Sequence, residues 1–305
     1  MTDAPDGLSA LRVDQVGGLV GPAALREAAR RFEAGEIDAA AMRTAEDAAI
    51  GGVLRRQEQI GLSILSDGEL RRKNFQESFA LAVSGYDTGA EAATSAAYKQ
   101  STINRAPSAR AEQDFGAAGP PVFTRRPVVE RLRLVRNVAL EEYSFSSRQA
   151  AAPVKVALMS PDRISQRYAW EDSLNVYPDM DAFVADVVAI GREMIHQLID
   201  AGCRYIQVDA PGYTAYVDEV SLENLARSIR ADNAMIEGFE GVTFGLHICK
   251  GNARTIDPGT GKVVAQWHRE GAYDAIAERL FSELEHQRLL LEYDDERSGG
   301  FEPLR

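Results

Sequence analysis

Apolar residues recur along this chain in two rhythms, short β-type runs and longer stretches with helical spacing, and the two alternate. Leu11-Arg-Val-Asp-Gln-Val reads as a first strand running into Gly17-Gly18. Pro22 opens a helical stretch over about 22–34, at a position where its missing N–H costs nothing. A second helix over about 37–60 carries an apolar stripe through Ala45, Ala49, Val53 and Ile60, and Gly61 ends it. Leu62-Ser-Ile-Leu-Ser is the second strand and delivers Asp67-Gly-Glu-Leu-Arg-Arg-Lys-Asn74. Val154 to Met159 is a strand that stops at Ser160-Pro161. Asp181 is placed to cap a helix whose apolar face runs Phe183, Val187, Ile190, Met194 and Leu198. Arg204 to Val208 is the next strand and ends in Asp209-Ala-Pro-Gly212. A helix over about 220–237 leads to a strand over 242–248. Beyond a Gly-rich hairpin at Asp257–Gly261, Tyr273 to Leu284 is helical and Arg288 to Tyr293 strand-like.

About six strand–helix alternations imply a parallel sheet covered by helices, either an open doubly wound sheet or a (β/α)8 barrel. No Gly-x-Gly-x-x-Gly follows the first strand, which weakens a dinucleotide-binding reading. Polar groups at the C-terminal ends of many different strands favour the TIM barrel, formed by residues 1–305 as a single domain. Residues 86–150 break the rhythm. Ala, Gly, Ser and Thr dominate 86–104, and Gly119-Pro-Pro121 is a clear interruption. They read as an insertion after the second strand, either a lid or oligomer contact or a solvated linker.

Composition narrows the class. A 45% hydrophobic fraction with moderate charge describes a globular protein with a sizeable core. The net charge of −12, with no long Lys/Arg block, argues against nucleic acid as a partner. No apolar run approaches a membrane span, and Met1-Thr-Asp-Ala-Pro-Asp lacks the regions of a signal peptide. Two cysteines, Cys203 and Cys249, are too few for a disulfide scaffold, so the expected compartment is a reducing cytoplasm.

The chemistry concentrates in Gly245-Leu-His-Ile-Cys-Lys-Gly-Asn252. Residues two apart on a strand face one side, their Cα atoms roughly 6.5 Å apart, so His247 and Cys249 point together. Such a pair suits zinc, and it equally suits a core Cys beside a hydrogen-bonded His. Glu69, Asp209 and Glu292 also stand at strand ends, with Lys155 one strand earlier, and in a barrel all would converge on one mouth. Taken singly, Asp67, Glu69 and Arg71 read as a salt-bridged turn and Glu292 to Arg297 as a solvated charge run. His196, His268 and His286 suit surface or ordinary polar roles, and Cys203, ahead of a strand, reads as core. Zn2+ with mixed S, N and O ligands and an open position can bind an incoming thiol and lower its pKa. The thiolate could then attack a methyl or an epoxide carbon. Metal-bound water attacking an amide or ester is the competing use, with Glu69 or Asp209 as base.

Together, Val16-Gly-Gly, Asp67-Gly-Glu-Leu-Arg-Arg-Lys-Asn-Phe75, Val154-Lys-Val, Ile206-Gln-Val-Asp-Ala-Pro211, His247-Ile-Cys-Lys-Gly-Asn252 and Leu291-Glu-Tyr-Asp-Asp-Glu-Arg-Ser-Gly resemble the catalytic half of cobalamin-independent methionine synthase. The resemblance is nearest to its shorter single-barrel relatives, a group that includes epoxyalkane:coenzyme M transferases. It implies a zinc-bearing TIM barrel that alkylates a small thiol, homocysteine or a relative, with a methyl-folate as the default donor. His247, Cys249 and Glu292 fall on zinc-ligand positions, Glu69 and Asp209 where the amino group of homocysteine is held, and Gly17, Gly18 and Asn74 in the substrate site. Three departures stand out. The family's Ile-Gly-Ser is Val16-Gly17-Gly18, and its Asp-Glu-Pro is Asp209-Ala210-Pro211; both bear on whether the thiol is an amino acid. The sequence ends at Arg305, before two further barrel strands and a second zinc-binding Cys that the resemblance implies. The expectation is that those strands were removed or belong to a second chain; a homo-oligomer is a further possibility. Coenzyme M transferase-like thiol addition to an epoxide, and a non-catalytic subunit completed by another chain, are the alternative readings.

Overall fold

Helix α1 (Ala23–Glu33) opens the part of the chain that a computed structural model describes, which comprises residues 13–72, 77–87, 126–216, 219–249, 253–256, 263–267, 273–293 and 298–304. Helix α2 (Ala39–Gln59) starts where the Asp38 side chain accepts from the Ala41 N–H at 2.8 Å. Its buried positions are Met42, Ala49, Ile50, Gly51, Leu54 and Gln57. That stripe is rotated from the expected one: Ile60 is the C-cap residue and is 58% exposed.

The first two expected strands are reduced, for a common reason. Residues 13–20 form no strand, because their backbone groups pair with other partners. Val16 C=O accepts from the Gln207 side chain, and Leu19 N–H donates to Gly68 C=O. At Ser66 both backbone groups are taken by the Gln57 amide, at 2.7 and 3.0 Å. What remains of Leu62–Ser66 is one parallel bridge, Leu65 to Val154.

Helix α3 (Glu77–Ala80) precedes β1 (Val83–Tyr86), which pairs antiparallel with β2 (Val128–Leu134). Most of the expected insertion, residues 88–125, lies outside the described residues. Its C-terminal part is framework: helix α4 (Val138–Gln149) packs on α2 and on β3 (Val156–Met159). Helix α5 (Pro161–Ser165) follows, then α6 (Met180–Asp200). The cap of α6 is Asp179, whose carboxylate accepts from Ala182 N–H at 2.7 Å; Asp181, the expected cap, sits exposed in the first turn. Replacing Asp179 by Ala should cost about 1 kcal/mol in chemical denaturation. The same change at Asp181 should stay within about 0.5 kcal/mol, which reverses the ranking the sequence suggests.

Strand β4 (Tyr205–Asp209), helix α7 (Glu219–Ile236), strand β5 (Thr243–Ile248), the antiparallel pair β6 (Ala253–Ile256) and β7 (Val263–Trp267), helix α8 (Ala277–Glu283) and strand β8 (Arg288–Leu291) complete the order. The expected hairpin residues 257–261 lie outside the described residues, and a 3-10 turn at Tyr273–Ala275 precedes α8. The main sheet is parallel, in the order β3-β4-β5-β8, and the Leu65 bridge extends it beyond β3. This is the α/β architecture that the alternation predicts. Among the described residues the ladder runs from Leu65 to β8 and does not return on itself.

The core lies between this sheet and the helices. Val156, Leu158, Ile206, Val208, Phe244, Leu246 and Ile248 join one buried cluster with Phe183, Val187, Met194 and Leu198 of α6. Each such side chain contributes about 1.5–3 kcal/mol by leaving water. The absence of a side chain at Gly191 lets α7 approach α6, since a Cβ there would lie 2.9 Å from Met235 Sδ. Among the described residues no helix is long and apolar enough to cross a membrane.

Candidate active site at the strand ends

Alternation along the strands decides which residues can meet a substrate. On β4, Ile206, Val208 and the following Ala210 are buried in the helix-facing core, so Tyr205, Gln207 and Asp209 occupy the opposite face. The β4–β5 register pairs Asp209 with His247, and His247 Nδ1 lies 3.1 Å from Asp209 Oδ1. Cys249 is half-buried two residues further on, and its side chain acts electrostatically on the same imidazole. Burial alone would lower the His247 pKa. The bonds and charges of Asp209 and Cys249 outweigh it and hold the group up at about 10.

The Asp67-Gly-Glu turn brings Glu69 to the same place. Asp67 Oδ1 accepts from Glu69 N–H at 2.9 Å, and Gly68 takes a φ of +69° that a side chain could not follow: a Cβ would lie 2.9 Å from Leu19. Glu69 itself has a φ of +56°, among the described residues the one non-glycine in the left-handed region. A strained residue of this kind persists where its surroundings over-determine it. Those surroundings are Arg72, whose Nη1 lies 3.3 Å from Glu69 Oε2, and Glu142 of α4, which grips Arg72 through Nε at 2.9 Å and Nη2 at 2.6 Å. Arg72 Nη2 also donates to Ala157 C=O at 2.8 Å. Both side chains of this pair are nearly inaccessible, at 4% and 3%.

Burial is the largest influence on the acids here. It pushes the Glu69 carboxyl up to about 7 against the pull of Arg72, with Asp209 and Asp67 adding to the rise. Asp67 is pushed up to about 6 by burial and by Glu142. Carboxyl groups poised near neutrality can take a cation in exchange for a proton.

Glu292 stands one strand over. Its N–H donates to Ile248 C=O at 3.1 Å, continuing the β5–β8 ladder. Among the described residues, no three His, Cys, Asp or Glu side chains stand at the mutual distances of a metal centre. Gly18 borders Glu69, and a Cβ there would make only ordinary contacts of 3.5–3.9 Å with Gly68 and Glu69. Gly17 is exposed. Asn74 and His268 lie outside the described residues. Of the remaining candidates, Cys203 is fully buried and His196 exposed against Asp200. His286, expected at the surface or in an ordinary polar role, is buried just before β8, and burial lowers its pKa to about 4.

The two departures at the strand ends separate here. Ala210 lies in the helix-facing core, so a longer side chain at that position would alter packing. Gly18 is the departure beside Glu69. Sequence reasoning missed Gln207, Arg72 and Glu142. The first two were visible inside quoted motifs, and Glu142 gave no local signal.

Residues 14–228, more than two thirds of the chain, match the family described as cobalamin-independent synthase, catalytic domain. The chain belongs to that family. Within the synthase family it is 28% identical over 308 residues to YxjH of Bacillus subtilis, an uncharacterized protein, covering 96% of this chain and 73% of that one. It is 26% identical over 211 residues to the methionine synthase of Pyrococcus abyssi, covering 68% of this chain and 52% of that enzyme. Among solved structures, a Listeria monocytogenes protein provisionally described as a vitamin-B12 independent methionine synthase superposes with a TM-score of 0.66 at 20% identity, over 93% of this chain and 73% of that one. A B12-independent methionine synthase from Shewanella sp. W3-18-1, in complex with selenomethionine, does so at 0.55 and 22% identity, over 77% and 60%. At these identities the structural likeness speaks for the synthase fold. Glu69 and Asp209 fall inside the matched residues, whereas His247, Cys249 and Glu292 follow them.

Proposed function

We propose that the chain is a methionine-synthase-like S-methyltransferase that methylates the thiol of homocysteine or a related small thiol, with Zn2+ as cofactor and a methyl-folate as donor. The observation that carries this reading is the placement of two buried carboxyl groups, Glu69 and Asp209, within electrostatic reach of one another and beside an imidazole–thiol pair. One end of that arrangement suits an ammonium group and the other a sulfur-seeking metal, which together match an amino acid thiol.

The donor chemistry at the strand ends fits zinc in kind. His247 and Cys249 offer nitrogen and sulfur from one strand, and Glu292 offers oxygen from the neighbouring one; these three residues would hold the ion. When bound, the metal supplies Lewis acidity that lowers the pKa of a substrate thiol towards neutrality. The chain's own residues do the rest. Glu69 and Asp209 bind and orient the ammonium group. Glu69 gives up its proton as the cation arrives, since a positive charge at close range favours the carboxylate. Arg72 keeps the Glu69 carboxylate from turning away. Family membership supports transferase chemistry; the substrate and the metal are the parts of the reading put to test.

A second reading, thiol addition to an epoxide by a coenzyme M-like thiol, is favoured by the open position at Gly18, which leaves room beside Glu69 without a hydroxyl. Thermal unfolding separates the two. Homocysteine at about a hundred times its Kd should stabilise the zinc-loaded chain by about 2.7 kcal/mol, while 2-mercaptoethanesulfonate leaves the Tm unchanged. The reverse pattern selects the second reading. Purified chain should also carry zinc that the Cys249→Ser variant has largely lost. No zinc in the parent and no shift with homocysteine would end the methyltransferase reading.

A further inference from the structure

The face of the sheet opposite the helices carries a hydrogen-bonded line that runs from its N-terminal side to His247. Lys155 is 4% exposed, and its ammonium donates to Gln207 Oε1 at 2.8 Å. It is held there by Asp14, whose Oδ2 lies 3.3 Å away and also accepts from Tyr205 O–H at 2.8 Å, and by the Tyr205 ring, 5.2 Å away. Gln207 is fully buried, and its Nε2 donates twice, to Val16 C=O at 2.8 Å and to Asp209 Oδ1 at 2.7 Å. Asp209 Oδ1 then lies 3.1 Å from His247 Nδ1.

Every bond in this line has a fixed direction. An ammonium only donates, so Gln207 must present its carbonyl to Lys155. Its two amide hydrogens are left for Val16 and Asp209, and both of those oxygens only accept. Turning the amide over would set NH2 against NH3+ and a carbonyl against a carboxylate and a second carbonyl, three mismatches at once. With Gln207 locked, Asp209 is locked as an acceptor, and the proton between Asp209 and His247 belongs to Nδ1. The other imidazole nitrogen, Nε2, is thereby released from this line for the site. A partner that orients a ligating imidazole is worth about 10–100-fold in metal affinity.

We propose that Lys155 and Gln207 are positioning residues. They act through Asp209 to fix the orientation of the His247 ring and the nitrogen it presents to the candidate active site. The proposal rests on the reading of that site given above, and its first test is independent of metal and substrate. In metal-free full-length chain with 15N-labelled histidine, the His247 Nδ1–H should appear as a slowly exchanging resonance, assigned by its disappearance in His247→Asn. Lys155→Met and Gln207→Leu should each speed its exchange at least about tenfold, while the resonances of His286 stay in place. Gln207→Glu keeps size and the Lys155 contact but sets an acceptor against Asp209, and should do the same if the leucine variant fails to fold. Unchanged exchange at His247 in folded variants of both positions overturns the proposal.

The second test uses Zn2+ alone, by chelator competition on full-length chain. Each single variant should weaken Kd about tenfold. In an Asp209→Asn background neither should weaken it further, because the line already ends there. Additive losses overturn the proposal. Absence of zinc binding by the parent chain counts against the methyltransferase reading, and the exchange measurement still decides the positioning role.

Discussion

Arg72→Met should lower stability by about 3–5 kcal/mol in chemical denaturation, the largest single loss expected from this protein. The substitution keeps the length of the side chain and deletes the cation, leaving the Glu142 carboxyl buried without its bonds to the guanidinium. It also unties Glu69 and the Ala157 carbonyl. The cost belongs to the orphaned charge more than to the ion pair. A second change that removes the orphan, Glu142→Leu, should therefore restore most of the loss. The double variant should nevertheless bind a thiol amino acid more weakly than the parent, since nothing then braces Glu69. A midpoint for Arg72→Met within about 1 kcal/mol of the parent would show that α4 does not hold the turn.

Glu69→Gln should remove most of the pH dependence that arises around the site. Burial raises the folded-state pKa of Glu69 to about 7 from an ordinary 4.5, so between those values the folded chain keeps a proton that the unfolded chain has released. Stability is then fully present below pH 4.5 and falls as pH rises through 7, by on the order of 3 kcal/mol for such a shift. Asp67, raised to about 6, adds a smaller loss of the same sign. The glutamine side chain has no proton to lose. The variant should match the parent near pH 4.5 and exceed its stability by about 3 kcal/mol at pH 8, a gain at the expense of the carboxyl group proposed to bind an ammonium. Parallel stability–pH curves for parent and variant would refute the assignment. The comparison suits an apo chain, because a bound cation pulls Glu69 back towards ionisation.

The parts of this molecule legible in the sequence are those in which hydrophobic spacing and burial agree. Strands β3, β4, β5 and β8 and helices α6 and α7 fall where apolar periodicity puts them, and the parallel arrangement follows from their alternation. The failures occur where polar groups stand in for apolar ones. Helix α4 was hidden because two of its four buried residues are Glu142 and Ser146, and a buried glutamate is intelligible only with Arg72, 70 residues earlier, in view. The strand at Leu62–Ser66 was overdrawn because the Gln57 amide replaces the strand neighbour that its apolar pattern anticipates. The Asp179–Asp181 exchange at the α6 cap is a two-residue ambiguity that only backbone geometry resolves. At the site, Glu69, Asp209, His247 and Cys249 stood out as reactive types at strand ends. Gln207 did not, because its part depends wholly on the partners on either side.

The division of β4 into two faces also bears on how relatives of this protein can drift apart. Substitutions at 206, 208 and 210 change how helices seat on the sheet, and those at 205, 207 and 209 change what a bound molecule encounters. Neighbouring letters of one short segment thus answer to separate selective demands. A change at Ala210 therefore acts on the scaffold, and changes at its odd-numbered neighbours and at Gly18 act on what the proposed site can hold.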